Sequence, residues 1–162
     1  MEAHIMVPVN GPEDVEGVAS RLQMLVDRGG VGKVTLVRVV PLAPSTAIDF
    51  PLDYADVVRA DAARRDQAVA FLQGIANRIS WGWTDHEVVA LQGDEAETLA
   101  RFAAERRFDS VLVLSRGRSW LGRLFSSDLA DRILEAACVP VTVLPGAACV
   151  SPVAIGPDGS RA

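Results

Sequence analysis

Three arginines stand close together in a chain that is acidic overall, at positions 116, 118 and 123. Glycines and hydroxyl side chains surround them, which is a composition suited to a loop that binds an anion. The neighbouring residues are Ser115, Gly117, Ser119, Gly122, Ser126 and Ser127. The other interpretation is a loop of solvated arginines that pair with surface carboxylates. Spacing alone does not separate the two interpretations, because loops of glycine and arginine are common.

This arginine-rich loop lies between elements that commonly hold a ligand. An apolar strand is predicted before it at residues 111–114, and Ser126, Ser127 and Asp128 begin a helix that leads to a second apolar strand, Val141–Leu144. The amino end of a helix supplies free N–H groups and a positive dipole. Open α/β sheets bind ligands where strands end and helices begin. If the protein has a small-molecule site, this loop forms half of it.

The side chains that most often perform catalysis lack the neighbours they would need. His4 and His86 are predicted at strand starts without a second histidine or cysteine at ligand spacing, so we expect surface histidines and no metal site. Cys138 is expected to pack as a small buried hydrophobe. Neither a G-x-S-x-G nucleophile motif nor a G-x-x-x-x-G-K phosphate-binding motif occurs. We assign no catalytic residue and do not expect an enzyme.

The three tryptophans are side chains that could stack on a base. They are Trp81, Trp83 and Trp120. Tryptophans in loops more often fill gaps between helix ends or cover a partner surface. We therefore do not assign them to a site.

Composition excludes several classes of protein. The chain has 162 residues, of which 49% are hydrophobic, enough for one domain with a full core. No apolar run reaches the roughly 18 residues of a membrane span, and a net charge of −5 lacks the basic surface of a nucleic-acid binder. Two cysteines and an acidic first segment indicate a reducing compartment and no secretory signal. We expect a cytoplasmic protein that binds neither nucleic acid nor membrane.

Apolar runs alternate with helical stripes along the chain, which predicts an α/β fold with a parallel sheet and helices on both faces. The predicted strands are residues 4–9, 34–40, 86–91, 111–114 and 141–144. Four helices connect them; the second is expected at about residues 56–79, and the fourth begins at residues 126–128. The expected buried positions are Val15, Val18, Ala19, Leu22, Leu25 and Val26 in the first helix, Ala68, Leu72, Ile75, Ala76 and Ile79 in the second, and Leu99, Phe102 and Ala103 in the third.

Helix ends and the domain boundary also have sequence signals. Gly29 and Gly30 are expected to end the first helix in left-handed conformation. Asp94 and Glu97 have the spacing of a capping box at the start of the third helix. Residues 1–146 are expected to form one domain, and residues 147–162 a C-terminal tail that is poorly ordered unless it docks.

Several short motifs together resemble a universal stress protein. They are VPVNG at residues 7–11, GDE at 93–95, LSRGRS at 114–119 and VPVTV at 139–143. The likeness covers residues 4–145. Each motif alone is weak, and together they are fairly specific.

The resemblance implies a five-stranded parallel sheet in the order 3-2-1-4-5, Rossmann-like and of the adenine nucleotide alpha hydrolase-like type, and a homodimer. Some members hold ATP at the carboxyl ends of the first and fourth strands. The topology agrees, because strand order would reverse there. An apolar strand at a sheet edge invites pairing, so we expect a two-fold dimer through Val141–Leu144, in which the two copies add antiparallel through this strand or pack through side chains beside it.

The nucleotide-binding motif of that family is incomplete here. Members that bind nucleotides carry G-x2-G-x9-G-[ST], and the matching positions in this chain are Leu114, Gly117, Ser127 and Asp128. Only Gly117 fits, and Asn10 replaces the aspartate usual at the end of the first strand. Members without the glycines are generally regarded as not binding ATP, and the Ser126–Ser127 pair resembles that subgroup.

These motifs predict a degenerate nucleotide or anion site. Its expected residues are Pro8, Val9, Asn10, Val39, Val113, Ser115, Arg116, Gly117, Arg118, Ser126 and Ser127. ATP or another adenine nucleotide is the possible cofactor. The leading hypothesis is a stress-responsive regulatory or binding protein with weak ATP binding. The alternatives are a switch that binds ATP or hydrolyses it slowly, using the loop at residues 115–128, and a domain that acts only through its dimer surface.

Overall fold

The computed structural model describes residues 2–9, 15–42, 54–114 and 139–144 of the protein. Strands and helices alternate along them, as predicted. The strands are β1 (Ala3–Pro8), β2 (Val31–Val40), β3 (Asp85–Gln92), β4 (Ser110–Leu114) and β5 (Val141–Leu144). The helices are α1 (Val15–Arg28), α2 (Tyr54–Ala76) and α3 (Glu95–Arg106). The predicted fourth helix, the domain boundary at residue 146 and the tail at residues 147–162 lie outside the described residues.

The five strands form one sheet in the order β3-β2-β1-β4-β5, and every neighbouring pair is parallel. This confirms the expected order 3-2-1-4-5. β1 lies at the centre, and the chain leaves it first toward β2 and β3 on one side. It then returns to add β4 and β5 on the other side, so the direction of strand addition reverses between β1 and β4.

Two boundaries differ by about three residues from the sequence prediction, whereas the other strand boundaries differ by at most about one residue. β2 begins at Val31 rather than at residue 34, because its first residues pair with β1 although they form no apolar run. α2 ends at Ala76 rather than at Ile79. The next turn is tighter, since the N–H groups of Arg78 and Ile79 donate to carbonyls three residues back.

Two hydrophobic cores lie on opposite faces of the sheet. Val7, Leu22 and Leu72 belong to the core under α1 and α2. Met6 and Leu99 belong to the core under α3. Consecutive residues of β1 thus enter different cores, because strand side chains alternate between faces. The predicted stripe of α2 is buried from Ala68 to Ile79, and that of α3 is buried as well, whereas Val15, Leu25 and Val26 of α1 are only partly buried.

The end of α1 and the start of α3 have the capping residues that the sequence predicted. Gly29 and Gly30 have φ angles of 74° and 84°, the left-handed conformation expected after α1. At the start of α3, the backbone N–H of Glu97 donates to Oδ1 of Asp94 over 3.1 Å, which confirms Asp94 as the cap. No helix within the described residues is long and apolar enough to cross a membrane.

Candidate functional site

The candidate site lies at the carboxyl edge of the sheet, where β1 and β4 end side by side. Ile5 and Met6 of β1 pair with Ser110 and Val111 of β4, so both strands run to the same edge. Neighbouring strands whose connections depart in opposite directions leave a crevice between them in α/β sheets. Four predicted site residues, Pro8, Val9, Val39 and Val113, lie at or next to this edge.

Most of these four side chains serve packing rather than ligand contact. Val9 and Val113 are only 4% and 8% exposed and belong to opposite cores. Val39 is partly buried against the core under α3, and Pro8 is buried. The backbone N–H of Val9 donates to the carbonyl of Val37 over 2.8 Å. The remaining predicted site residues, Asn10, Ser115, Arg116, Gly117, Arg118, Ser126 and Ser127, lie outside the described residues and stay predictions.

A carboxylate with a raised pKa stands at the start of α3. Burial, and then the negative charge of Asp94, raise the pKa of Glu95 above its ordinary value. Glu95 follows the end of β3, two strands away from the crevice between β1 and β4. It is therefore not part of the candidate site.

At the opposite, amino-terminal part of the sheet, a polar network crosses three strands. Nε2 of His4 in β1 lies 2.8 Å from Oγ1 of Thr35 in β2, and Thr35 donates to Oε1 of Glu87 in β3 over 2.9 Å. Nζ of Lys33 lies 3.1 Å from the other Glu87 oxygen, and Nη1 of Arg106 lies 4.0 Å from Oε1. Sequence analysis missed this network, although polar residues on inward-facing positions of apolar strands were a signal that could have indicated it.

Burial, neighbouring charges and hydrogen bonds shift the pKa values of His4 and Glu87 in this network. Burial, and then the charge of Lys33, lower the pKa of His4, while Glu87 and Asp109 act in the opposite direction and Arg106 in the same. Burial alone would raise the pKa of Glu87. Hydrogen bonds from Lys33 and Thr35 outweigh burial and hold the pKa of Glu87 below its ordinary value. The network therefore favours a neutral histidine beside a charged carboxylate at neutral pH.

His4 differs from the surface histidine that the sequence predicted. Its ring is half-buried and lies 4.4 Å from the Phe108 ring, centroid to centroid. Its backbone N–H donates to Oδ2 of Asp109 over 2.7 Å, and its carbonyl accepts from the Asp109 N–H over 2.9 Å. The prediction was wrong because the turn after α3 closes over the start of β1. His86 is exposed, as predicted.

Two of the tryptophans have different roles. Trp81 packs against the core under α1 and α2, donates from Nε1 to the carbonyl of Ala76 and stacks on His86 with ring centroids 4.5 Å apart. It fills a gap at a helix end, as the sequence suggested. Trp83 is fully exposed, and Trp120 lies outside the described residues. Among the described residues, no group of three or more histidine, cysteine, aspartate or glutamate side chains could hold a metal ion.

Comparison with known proteins gives a family match over most of the chain. The model of the universal stress protein family matches residues 1–145. No curated protein matches the sequence.

Several solved structures share the fold. A universal stress protein in complex with cAMP is 18% identical with a TM-score of 0.54, over 88% of this chain and 98% of that one. A universal stress protein family protein from Arabidopsis thaliana with AMP bound is 17% identical with a TM-score of 0.54, over 88% and 91%. A universal stress protein family protein from Burkholderia pseudomallei is 20% identical with a TM-score of 0.54, over 88% and 96%. Identities this low establish the fold alone.

Proposed function

The chain belongs to the universal stress protein family, and from that premise we propose that it is a binding protein of the stress response with a degenerate adenine nucleotide pocket. The pocket lies at the carboxyl ends of β1 and β4. It binds ATP weakly, and the protein acts by binding rather than by catalysis.

The observation that carries this proposal is the reversal of strand addition between β1 and β4. Crevices at such positions are the usual ligand sites of open α/β sheets. Two structural neighbours are described with cAMP and with AMP bound, which supports an adenine nucleotide as the class of ligand. Val9 and Val113 are buried beneath the edge, so they form its floor rather than its specific contacts.

The last residue of β4 and two residues after the strand weaken the affinity for ATP. Leucine occupies position 114, where the family's nucleotide-binding motif has glycine, and a leucine side chain takes space that close approach of a ligand needs. At the third and fourth motif positions the chain has Ser127 and Asp128. If these residues begin a helix, as the sequence predicts, a carboxylate there competes with a phosphate for the same N–H groups and repels it.

The second candidate is an ATP-binding switch that uses residues 115–128. It is favoured by the three arginines of that stretch, which would attract phosphate strongly.

Nucleotide retained through purification separates the two candidates. The protein is purified rapidly and denatured, and the released small molecules are identified by mass spectrometry. We expect ATP far below one molecule per chain. Stoichiometric ATP would overturn the degenerate pocket and establish the switch.

A further inference from the structure

A second group of polar side chains lies away from the β1–β4 crevice, between α2 and the carboxyl ends of β2 and β3. Arg38 pairs in register with Ala90, and Val40 pairs with Gln92. Arg38 and Gln92 are therefore on the same face, two residue steps apart along parallel strands. Both side chains contact α2, Arg38 through Phe71 and Gln92 through Arg65.

Gln92 presents a buried donor without an acceptor. Nη2 of Arg65 donates to Oε1 of Gln92 over 3.1 Å. This bond sets the orientation of the amide, because a flipped amide would place two donors against each other. Nε2 of Gln92 is then buried and has no hydrogen-bond partner. Native proteins rarely leave such a group unpaired, and an unmet buried donor indicates a missing acceptor.

Arg38 lies against the Phe71 ring and has no negative partner among the residues that the structure describes. Its guanidinium carbon lies 4.5 Å from the centroid of the Phe71 ring, a cation–π contact that leaves the N–H groups free to bind another molecule. No carboxylate among the described residues forms an ion pair with it. Asp61 of α2 is engaged by Arg64, with 2.6 Å between Oδ1 and Nη2.

The positions of these groups along α2 and the strands agree with one site. α2 connects β2 to the parallel strand β3, so it runs back against the strand direction. Arg65 precedes Phe71 by six residues, about 9 Å along the helix axis, toward the same edge at which Gln92 lies beyond Arg38. Arg65 is exposed, and Arg38 and Gln92 are half-buried, so each side chain is partly accessible to solvent although Nε2 of Gln92 is buried.

We propose that Arg38, Arg65 and Gln92 form an oxyanion site that binds a phosphate or carboxylate group. Two guanidinium groups and an amide N–H2 supply donors, and the only acceptor that they meet among the described residues is Oε1 of Gln92. An oxyanion oxygen satisfies the orphan Gln92 donor, while its charge is balanced by Arg38 and Arg65. The site is separate from the proposed nucleotide pocket, because Arg38 and Gln92 lie on the face under α2. Val39, the predicted pocket residue next to Arg38, lies on the opposite face, under α3.

Nuclear magnetic resonance of the full-length protein tests the site at the level of single side chains. The Nε–H signals of Arg38 and Arg65 and the Gln92 amide signals are followed during separate titrations with inorganic phosphate and with malonate. We expect these signals to move together and to saturate with at least one anion, and the anion with the higher affinity identifies the ligand as phosphate or carboxylate. If none of the three moves in either titration, the site does not exist.

Variants then assign the binding to these residues. Arg38→Met retains packing on Phe71 without the charge, and Gln92→Met removes the orphan donor. Each substitution is expected to weaken binding of the preferred anion at least tenfold. Arg59→Gln is the matched control, since Arg59 lies on α2 in an exposed pair with Asp56, and it should leave affinity within twofold.

The variant results can overturn the proposal independently of the nucleotide pocket. Unchanged affinity in Arg38→Met and Gln92→Met would place the anion elsewhere, for example on the arginines at 116, 118 and 123, and would exclude the proposed site. Thermal unfolding of each variant confirms that it is folded. If a variant does not fold, the wild-type side-chain titration still decides the question.

Discussion

Thr35 in β2 and Glu87 in β3 are register partners, and the Thr35 hydroxyl donates to Oε1 of Glu87 over 2.9 Å. Because its proton is used there, the Thr35 oxygen accepts from Nε2 of His4, 2.8 Å away. Neutral His4 therefore carries its proton on Nε2. One hydroxyl thus connects side chains of three neighbouring strands, and it is 0% exposed.

Replacing Thr35 by valine keeps the shape of the side chain and removes both hydrogen bonds. We expect Thr35→Val to lower the free energy of unfolding by about 1–3 kcal/mol, because partly buried groups of His4 and Glu87 lose a partner. Urea unfolding at neutral pH measures the loss. Ser20→Ala is the control, since Ser20 is exposed in α1, and it should change stability by less than about 0.5 kcal/mol. Equal stability of Thr35→Val and wild type would contradict a structural role for the network.

Stability should fall as His4 becomes protonated. The folded-state pKa of His4 is lowered by burial and by Lys33, so the unfolded chain takes up the proton first as pH falls below about 6.5. The contribution of His4 is complete above that pH and is lost as the pH falls through the folded-state pKa. Unfolding free energies at about pH 7.5 and about pH 5.5 should differ less in His4→Asn than in wild type.

His86→Asn is the control for this pH effect, because His86 is exposed and stacks on Trp81 outside the network. This variant should retain the wild-type difference in unfolding free energy between the two pH values. Glu87 has a lowered pKa, so its contribution is lost in the same direction but at lower pH, below the ordinary range of a glutamate. A His4→Asn variant with the full wild-type pH dependence would refute the assignment to His4.

Glycine is required at position 93 by the backbone conformation there and by the neighbouring Thr98 side chain. Its φ angle is 143°, and a Cβ atom there would lie 2.6 Å from Oγ1 of Thr98. Gly93→Ala should therefore lower the free energy of unfolding by about 2 kcal/mol. Gly74→Ala is the matched control, because Gly74 lies within α2 with nothing within 4 Å of the new Cβ. That variant should raise stability by about 0.5–1 kcal/mol. Similar changes in the free energy of unfolding for the two substitutions would show that the backbone conformation of Gly93 does not determine its effect on stability.

The wild-type protein should bind ATP poorly, and the triple variant Leu114→Gly, Ser127→Gly, Asp128→Ser should bind it better. At about 5 Å and an effective dielectric near 20, each pair of like charges costs roughly 3 kcal/mol, on the order of a hundredfold in affinity. Screening by salt reduces this figure. Calorimetry on both proteins measures the gain. Tight binding by the wild type would refute weak affinity, and a folded variant without any gain would refute the motif argument.

The protein should form a two-fold dimer through Val141–Leu144. β5 has a neighbour only on the β4 side among the described strands, and an open apolar edge favours association. Light scattering at micromolar concentration should give the mass of two chains. Thr142→Lys should weaken the dimer on the order of tenfold, because it places like charges near the symmetry axis.

Met24→Lys serves as the control for the dimer, since Met24 is an exposed residue of α1, and it should leave the dimer intact. A monomeric wild type, or equal weakening by both lysines, would exclude this interface.

The sequence by itself determined the elements and their buried faces. The apolar positions of α2 recur at helical spacing, so Leu72, Ile75 and Ala76 could be placed in the core from local periodicity alone. The strand order came from a resemblance between short motifs, and the family match and the sheet agree with it. The carboxyl edge could also be predicted, because parallel strands joined by helices must end together.

Only the tertiary structure decided which side chains meet. Thr35 is separated by 31 residues from His4 and by 52 from Glu87, and Arg65 by 27 from Gln92. Periodicity specifies the face on which a side chain lies but not its height relative to the next strand. That height follows from register, which is set when helices and strands pack together. For the same reason, only the fold shows that Val9 and Val113, two of the predicted site residues, are buried in its cores.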